Sequence, residues 1–259
     1  MKLRTGVLFV LAAIGIGSIE RDTAGAQKKA LSPTETVLRF YRALKEKRYA
    51  EGFQLSIYRG AIEGLSAAEL QDLEPEFART FSIIPDTLQP AGEIIKRDSA
   101  TVYLKFGANL SSQQVDLVRA NGQWLVGDQE SLRVVQQQGR SFFFNLRMSV
   151  SESEAQDILA RLVDAEAIYA VANQGRCATI EELIKLRALP AELESGQASG
   201  YRFELSVTED RKSFSGLAVP AEYGKTGRLS FYADARGVRA EDLKGAPATS
   251  NSPALRAHQ

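Results

Sequence analysis

The chain contains a single histidine and a single cysteine among its 259 residues. His258 lies in a polar stretch next to the last residue, an unsuitable place for a core or a cleft. Because no other side chain titrates near neutral pH when unperturbed, this argues against histidine-based triads, histidine general bases and histidine-containing zinc sites. With Cys177 alone, no intramolecular disulfide can form. Its thiol is buried, partly exposed or part of an intermolecular link. We predict no catalytic constellation, no metal site and no cofactor.

An excess of charge of either sign is also lacking. Basic and acidic residues number 32 each, so the formal net charge is zero. A chain without a broad electrostatic field does not attract nucleic acid, and we predict no nucleic-acid partner. The hydrophobic fraction of 44% and the charged fraction of 25% are typical of a soluble globular protein that buries a core.

The first residues have the three-part layout of a secretory signal peptide. Lys2 and Arg4 precede the apolar run 6–19, and small residues follow at 24–26. The run is about 14 residues long, which is short for a membrane span of about 20. An uncleaved anchor or a buried first helix is the alternative. We predict a signal peptide over residues 1–26, and a periplasmic or secreted protein without a stable membrane anchor after cleavage.

Helix-start signals come next along the chain. Ser32 and Glu35 have the spacing of a capping box, in which two side chains satisfy free amide groups at the start of a helix. Ser66 and Glu69 repeat this pattern, and a further helical stretch is predicted near residues 49–58. The sequence therefore predicts three helical segments before the first strand.

The hydrophobic period then changes from that of helices to that of strands. Asn121 and Gly122 favour a tight hairpin, because both turn positions require a positive φ angle. Alternating apolar residues predict four short strands, at residues 92–97, 101–107, 113–119 and 123–126. The first part of the chain is thus predicted as α+β, with helices followed by an antiparallel meander.

This order of elements resembles the NTF2-like superfamily over residues 31–133. The resemblance rests on residues 34–41 of the first helix and residues 115–124 of the last hairpin. It implies a cone in which N-terminal helices pack on a curved antiparallel sheet. The superfamily includes steroid isomerases, dehydratases, cyclases and many non-catalytic proteins, and its enzymes place an Asp, His or Tyr inside the cone.

Three aromatic residues are candidates for ligand binding in such a cone: Tyr41, Tyr58 and Trp124. They are equally consistent with an ordinary core. Asp116 and Asp128, on or beside predicted strands, are the only candidates for a general base, and a solvated position is the alternative for each. A base of this kind needs a raised pKa in a dry cleft.

Residues 134–150 are predicted as a linker, because they begin with a polar stretch that ends at a glycine. Phe142, Phe143 and Phe144 then form an apolar triplet. An exposed triplet of this kind marks an interaction surface, and the alternative is that it docks on one of the domains. The alternation of apolar residues from 142 to 148 also permits a short strand.

Residues 151–245 are predicted as a second α+β domain with one long helix and an antiparallel sheet of at least three strands. A capping box at 151–154 predicts the start of the long helix, and Thr179 with Glu182 predicts a shorter one. Alternation predicts strands at residues 201–208, 213–218 and 227–233. Residues 246–259 are predicted as a polar tail.

This second segment resembles the head region of type IV pilin-like proteins and secretion pseudopilins. The resemblance rests on residues 165–169, 179–183 and 200–203, and it continues through 220–227 and 231–238. A pilin carries a long apolar helix directly before its head, and nothing comparable precedes this segment. The resemblance therefore implies a head-like fold and argues against pilus assembly.

Three functions remain open from the sequence. The first is an exported, non-catalytic interaction protein that binds a protein partner or self-associates in the cell envelope. The second is a carrier or sensor that holds a small apolar ligand in the NTF2-like pocket. The third is an isomerase or hydrolase that uses Asp116 or Asp128 as its base.

Overall fold

The structure is a computed structural model that describes residues 30–82, 84, 87–106 and 111–255. The signal peptide predicted for residues 1–26 and the single histidine lie outside the described residues. From Leu31 onward the chain forms one compact unit. It contains helices with a four-stranded and a five-stranded antiparallel sheet, which confirms the predicted α+β class. No helix among the described residues is long and apolar enough to cross a membrane.

Four helices come first: α1 (Pro33–Lys45), α2 (Tyr49–Gln54), α3 (Arg59–Ile62) and α4 (Ala67–Thr80). Both predicted capping boxes are confirmed. The backbone amide of Glu35 donates to the Ser32 hydroxyl over 3.2 Å, and the Ser32 amide donates to the Glu35 carboxylate over 2.9 Å. Ser66 and Glu69 make the same pair of bonds at the start of α4.

The first sheet is a meander of β1 (Leu88–Lys96), β2 (Ser99–Phe106), β3 (Ser111–Ala120) and β4 (Gln123–Val126). Asn121 and Gly122 have φ angles of 50° and 76° in the turn between β3 and β4, which confirms the predicted hairpin. Helix α1 packs on one face of this sheet, where Val37, Val102 and Leu104 are fully buried.

Helices replace the predicted linker. Helix α5 spans Gln129–Gln138, and α6 spans Phe142–Ala172, a length of 31 residues. A short 3-10 turn at Gly139–Ser141 separates them. The polar glutamine run misled the prediction, because Leu132 and Val135, one turn apart, bury one face of α5 beneath it.

The strand that alternation permitted at 142–148 does not form, and the expected helix start at Ser151 is wrong, because α6 runs through these positions without a break. Phe143 and Met148 are buried, and from Ala155 onward one residue in three or four is buried. The buried set has the period of a helix. The capping-box pattern at 151–154 therefore lies inside α6, and Glu152 Oε1 instead accepts hydrogen bonds from the backbone amides of Arg228 and Leu229.

Helix α6 continues onto the second sheet. The elements there are α7 (Ile180–Lys185), β5 (Gln197–Ala198), β6 (Tyr201–Val207), β7 (Phe214–Pro220), β8 (Ser230–Asp234) and β9 (Gly237–Glu241), with the strands in sequential order. The Thr179 capping box is confirmed. Gly216 allows α6 to approach β7 closely, because a Cβ atom there would lie 2.6 Å from Cδ2 of Leu162. A side chain at this position would force the side chains of Leu159 and Leu162 to move.

The described part of the predicted polar tail, residues 246–255, lies along β9. The amide of Ala240 donates to the carbonyl of Pro253 over 3.0 Å, and the Ser252 hydroxyl donates to Glu241 over 2.8 Å. Ala248 and Ser252 are buried. This segment therefore belongs to the packed unit.

Candidate functional site

Two of the three candidate aromatic residues pack in the core of the first sheet. The Tyr41 ring meets the Phe106 ring edge-on, with 5.7 Å between centroids, and burial raises the pKa of Tyr41. Trp124 belongs to the cluster between α1 and the sheet, and the Arg119 guanidinium lies 5.6 Å from the centre of its ring. Side chains of α1 cover this face, so Tyr41 and Trp124 serve as core aromatics.

Neither candidate general base has the required setting. Asp128 caps α5, where its Oδ1 accepts from the Ser131 amide over 2.8 Å and its Oδ2 from the Ser131 hydroxyl over 2.7 Å. These bonds lower the pKa of Asp128, the opposite of what a base needs. Asp116 is exposed on the sheet and accepts a hydrogen bond from the Thr101 hydroxyl over 2.8 Å.

A cleft with a volume of about 570 Å³ lies elsewhere, between α4, α6 and two turns of the second sheet. Ser199 and Gly200 supply the turn before β6, and residues 222–226 supply the loop between β7 and β8. This volume is within the range of small-molecule sites, about 300–1,000 Å³. Of the three candidate aromatics, only Tyr58 lines the cleft.

One wall of the cleft is apolar. Helix α6 presents Phe143, Leu146 and Val150, three or four residues apart and therefore on one face. Leu73 and Phe77 of α4 lie opposite. Leu146 is 49% exposed, so it offers apolar surface to the cleft. Aromatic rings make up much of this wall: Tyr58, Phe77, Phe81, Phe142 and Phe143 all line it.

The phenylalanine triplet does not form an exposed patch. Phe143 is 8% exposed, and its ring centroid lies 4.9 Å from that of Phe77 and 5.2 Å from that of Phe53. Phe142 and Phe144 are half-buried against the same cluster. The triplet therefore docks α6 onto the N-terminal helices, which was the alternative to an interaction surface.

The other wall is charged and centred on Arg147. Its Nη1 lies 2.7 Å from Oδ2 of Asp72 and its Nε 2.6 Å from Oε1 of Glu76, while Nη2 donates to the Asp72 carbonyl over 2.6 Å. The Arg147 side chain is only 10% exposed. Lys225 Nζ lies 3.4 Å from the other carboxylate oxygen of Asp72. These contacts join α4, α6 and the β7–β8 loop, and the hydrogen bond from Arg147 lowers the pKa of Asp72.

Some polar groups of the cleft have no partner. The carboxylate of Glu154 makes no hydrogen bond or ion pair with any described residue, and Oε2 of Glu76 is buried without a partner among those residues. Four carboxylates and three cations line the cleft: Asp72, Glu76, Glu154 and Glu222 against Arg79, Arg147 and Lys225. The lining therefore carries a small excess of negative charge.

The sequence contains one signal for this site that residue patterns alone do not resolve. Arg147 is the only charged residue within the otherwise apolar or neutral stretch 142–151. A lone arginine on a buried helix face needs carboxylate partners. The pattern therefore indicated an ion pair but gave no means of finding Asp72 and Glu76.

The geometry of the cleft suits binding. It combines apolar surface, whose burial by a ligand stabilises the complex, with a few fixed charges, which orient the ligand. Among the residues that the structure describes, no group of three or more His, Cys, Asp or Glu side chains could hold a metal ion. Comparison of the chain with protein-family models, curated proteins and solved structures gave no match.

Proposed function

We propose that this protein is an exported binding protein that holds a small molecule with an apolar body in the cleft between α4 and α6. The observation that carries this proposal is the cleft itself, about 570 Å³ in volume, with one wall of aromatic and aliphatic side chains and one charged wall. Covering such a surface stabilises a complex by about 25 cal/mol for each Å² of apolar area removed from water.

The cleft favours the carrier over the interaction protein. An exposed phenylalanine triplet was one of the grounds for the interaction hypothesis, and Phe143 is buried against Phe53 and Phe77. The carrier hypothesis needed a pocket with an apolar wall and a few polar groups, and the cleft has both. The pocket lies outside the first sheet, however, and not in the predicted cone.

The family resemblances and the export signal remain part of the proposal. Packing of α1 on a four-stranded antiparallel meander supports an NTF2-like segment at 31–133. Packing of the long helix α6 on a five-stranded antiparallel sheet supports a pilin-head-like segment at 151–245. A periplasmic or secreted location rests on the signal-peptide pattern of residues 1–26.

Replacing Leu146 by arginine should prevent binding of a neutral apolar probe. The probe is N-phenylnaphthylamine, whose fluorescence rises when it leaves water. Leu146 is 49% exposed on the cleft wall, so arginine fits there without disturbing the core, and its charge opposes the entry of an apolar body. We expect the affinity to fall at least about tenfold, equivalent to about 1.4 kcal/mol.

Leu186→Arg is the matched control. Leu186 is also exposed, at 62%, and does not line the cleft. This variant should bind the probe like the unmodified protein, and the melting temperatures of both variants should show that they are folded. Failure of the unmodified protein to bind the probe, or equal binding by Leu146→Arg and the unmodified protein, would overturn the proposal.

A further inference from the structure

We propose that the cleft selects organic cations, specifically an amine or ammonium group attached to an apolar body, over anions of the same shape. The inference rests on the proposed function and adds the chemical class of the ligand. It is drawn from the distribution of paired and unpaired charges in the cleft and from the aromatic rings beside them.

The cations of the charged wall are largely occupied. Arg147 binds both Asp72 and Glu76, and Lys225 lies 3.4 Å from Asp72 and 3.5 Å from Glu222. The Arg147 side chain is only 10% exposed, so an anionic ligand would have to displace a carboxylate to reach it, while the charge of Lys225 is shared with two carboxylates. Arg79 is the remaining cation, and it is an exposed side chain near the end of α4.

Negative charge is more available to a ligand. Glu154 lies on the cleft wall, two turns beyond Arg147 on α6, and has no partner among the described residues. Glu76 uses Oε1 for Arg147, and its Oε2 has no hydrogen-bond donor in the described part of the chain. An ammonium group carries donors and positive charge, so it complements the Glu154 carboxylate and balances the small negative excess of the lining.

The aromatic wall complements the apolar body of such a ligand. Tyr58 lies beside Phe142 and Phe143, with centroids 5.6 Å and 5.5 Å apart, so their rings form a continuous surface in the cleft. Glu154 lies about three helical turns beyond Phe142 and Phe143 on α6, so a hydrocarbon body covers the rings while its positive end points toward Glu154.

Three probes that share one skeleton test the inference on the unmodified protein: phenylbutylammonium, phenylbutanol and phenylbutanoate. Their affinities are measured at neutral pH and low salt by displacement of N-phenylnaphthylamine. We expect the cation to bind at least about fivefold more tightly than the alcohol, and the anion more weakly than the alcohol. Glu154→Gln should remove most of the preference for the cation over the alcohol.

Glu130→Gln is the control for loss of a negative charge, because Glu130 is exposed on α5 and does not line the cleft. It should keep the full preference. Equal binding of the three probes, tighter binding of the anion, or an unchanged preference in Glu154→Gln would overturn the inference. Each of these results leaves the proposed binding function intact, provided that the unmodified protein binds the dye and Leu146→Arg weakens that binding. If the dye does not bind at all, the proposed function fails with it.

Discussion

Replacing Phe143 by alanine should lower the free energy of unfolding by about 3–5 kcal/mol, the usual cost of removing a buried phenylalanine. This is a large part of the roughly 5–15 kcal/mol that stabilises most domains. For a unit of this size the melting temperature should fall by roughly 10 °C. Urea unfolding followed by circular dichroism measures the change.

The size of this effect follows from the position of the ring. Phe143 is 8% exposed and contacts four other rings, those of Phe53, Tyr58, Phe77 and Phe142, with centroids 4.9–5.5 Å apart. Alanine would leave a cavity between α6 and the N-terminal helices, which rigid neighbours fill only in part. Aromatic pairs of this geometry add about 0.5–1.5 kcal/mol beyond the area that they bury.

Leu146→Ala provides the comparison for Phe143→Ala. Leu146 lies on the same helix and is 49% exposed, so its truncation should cost less than about 1 kcal/mol. An exposed phenylalanine triplet would instead make Phe143→Ala as mild as Leu146→Ala. Equal costs for the two variants would therefore contradict the docking of α6 through Phe143.

Local signals in the sequence were sufficient for most of the secondary structure. The capping boxes at Ser32, Ser66 and Thr179 mark true helix starts, and Asn121 with Gly122 marks a true hairpin. Each signal depends on residues within four positions of one another. At these four positions the residues that form the cap or the turn are sequence neighbours, so the local pattern is enough to specify it.

The same kind of signal failed at Ser151. The spacing of its capping box is correct, but Ser151 lies inside α6, whose buried face runs on both sides of it. Tertiary packing of a long helix outweighs a local preference worth about 1 kcal/mol. That packing depends on residues of α4 and of the second sheet. The sequence around Ser151 therefore cannot show whether a helix begins there or runs through it.

The candidate site was even less accessible to prediction. Arg147 and Asp72 are 75 positions apart, and only the fold brings them together. Tyr41 and Tyr58 are both tyrosines in the N-terminal helical region. Tyr41 packs between α1 and the first sheet, whereas Tyr58 lines the cleft. Residue type alone does not separate a core aromatic from a ligand-facing one, because both environments are apolar.

Replacing Arg147 by methionine should lower the free energy of unfolding by about 2 kcal/mol at neutral pH. Breaking a buried ion pair costs about 3–5 kcal/mol because the remaining charges lose their partner. The partners here are partly hydrated, with side chains of Asp72 and Glu76 that are 37% and 31% exposed, so the expected cost is smaller. Arg140→Met is the matched control, since Arg140 pairs with Glu69 at a side-chain exposure of 59% and its loss should cost clearly less than that of Arg147.

The cost of Arg147→Met should also depend on pH in one direction. The hydrogen bond from Arg147, helped by Lys225, holds the pKa of Asp72 below its value of about 3.9 in an unfolded chain. A carboxyl group with a lowered pKa stabilises the fold above its unfolded pKa, and this contribution is lost as the pH falls through its folded pKa. The difference in stability between the unmodified protein and Arg147→Met should therefore be full near neutral pH and shrink below about pH 4. A difference that stays constant down to the acid transition would show that Arg147 stabilises the fold through packing of its stem and not through the charge of Asp72.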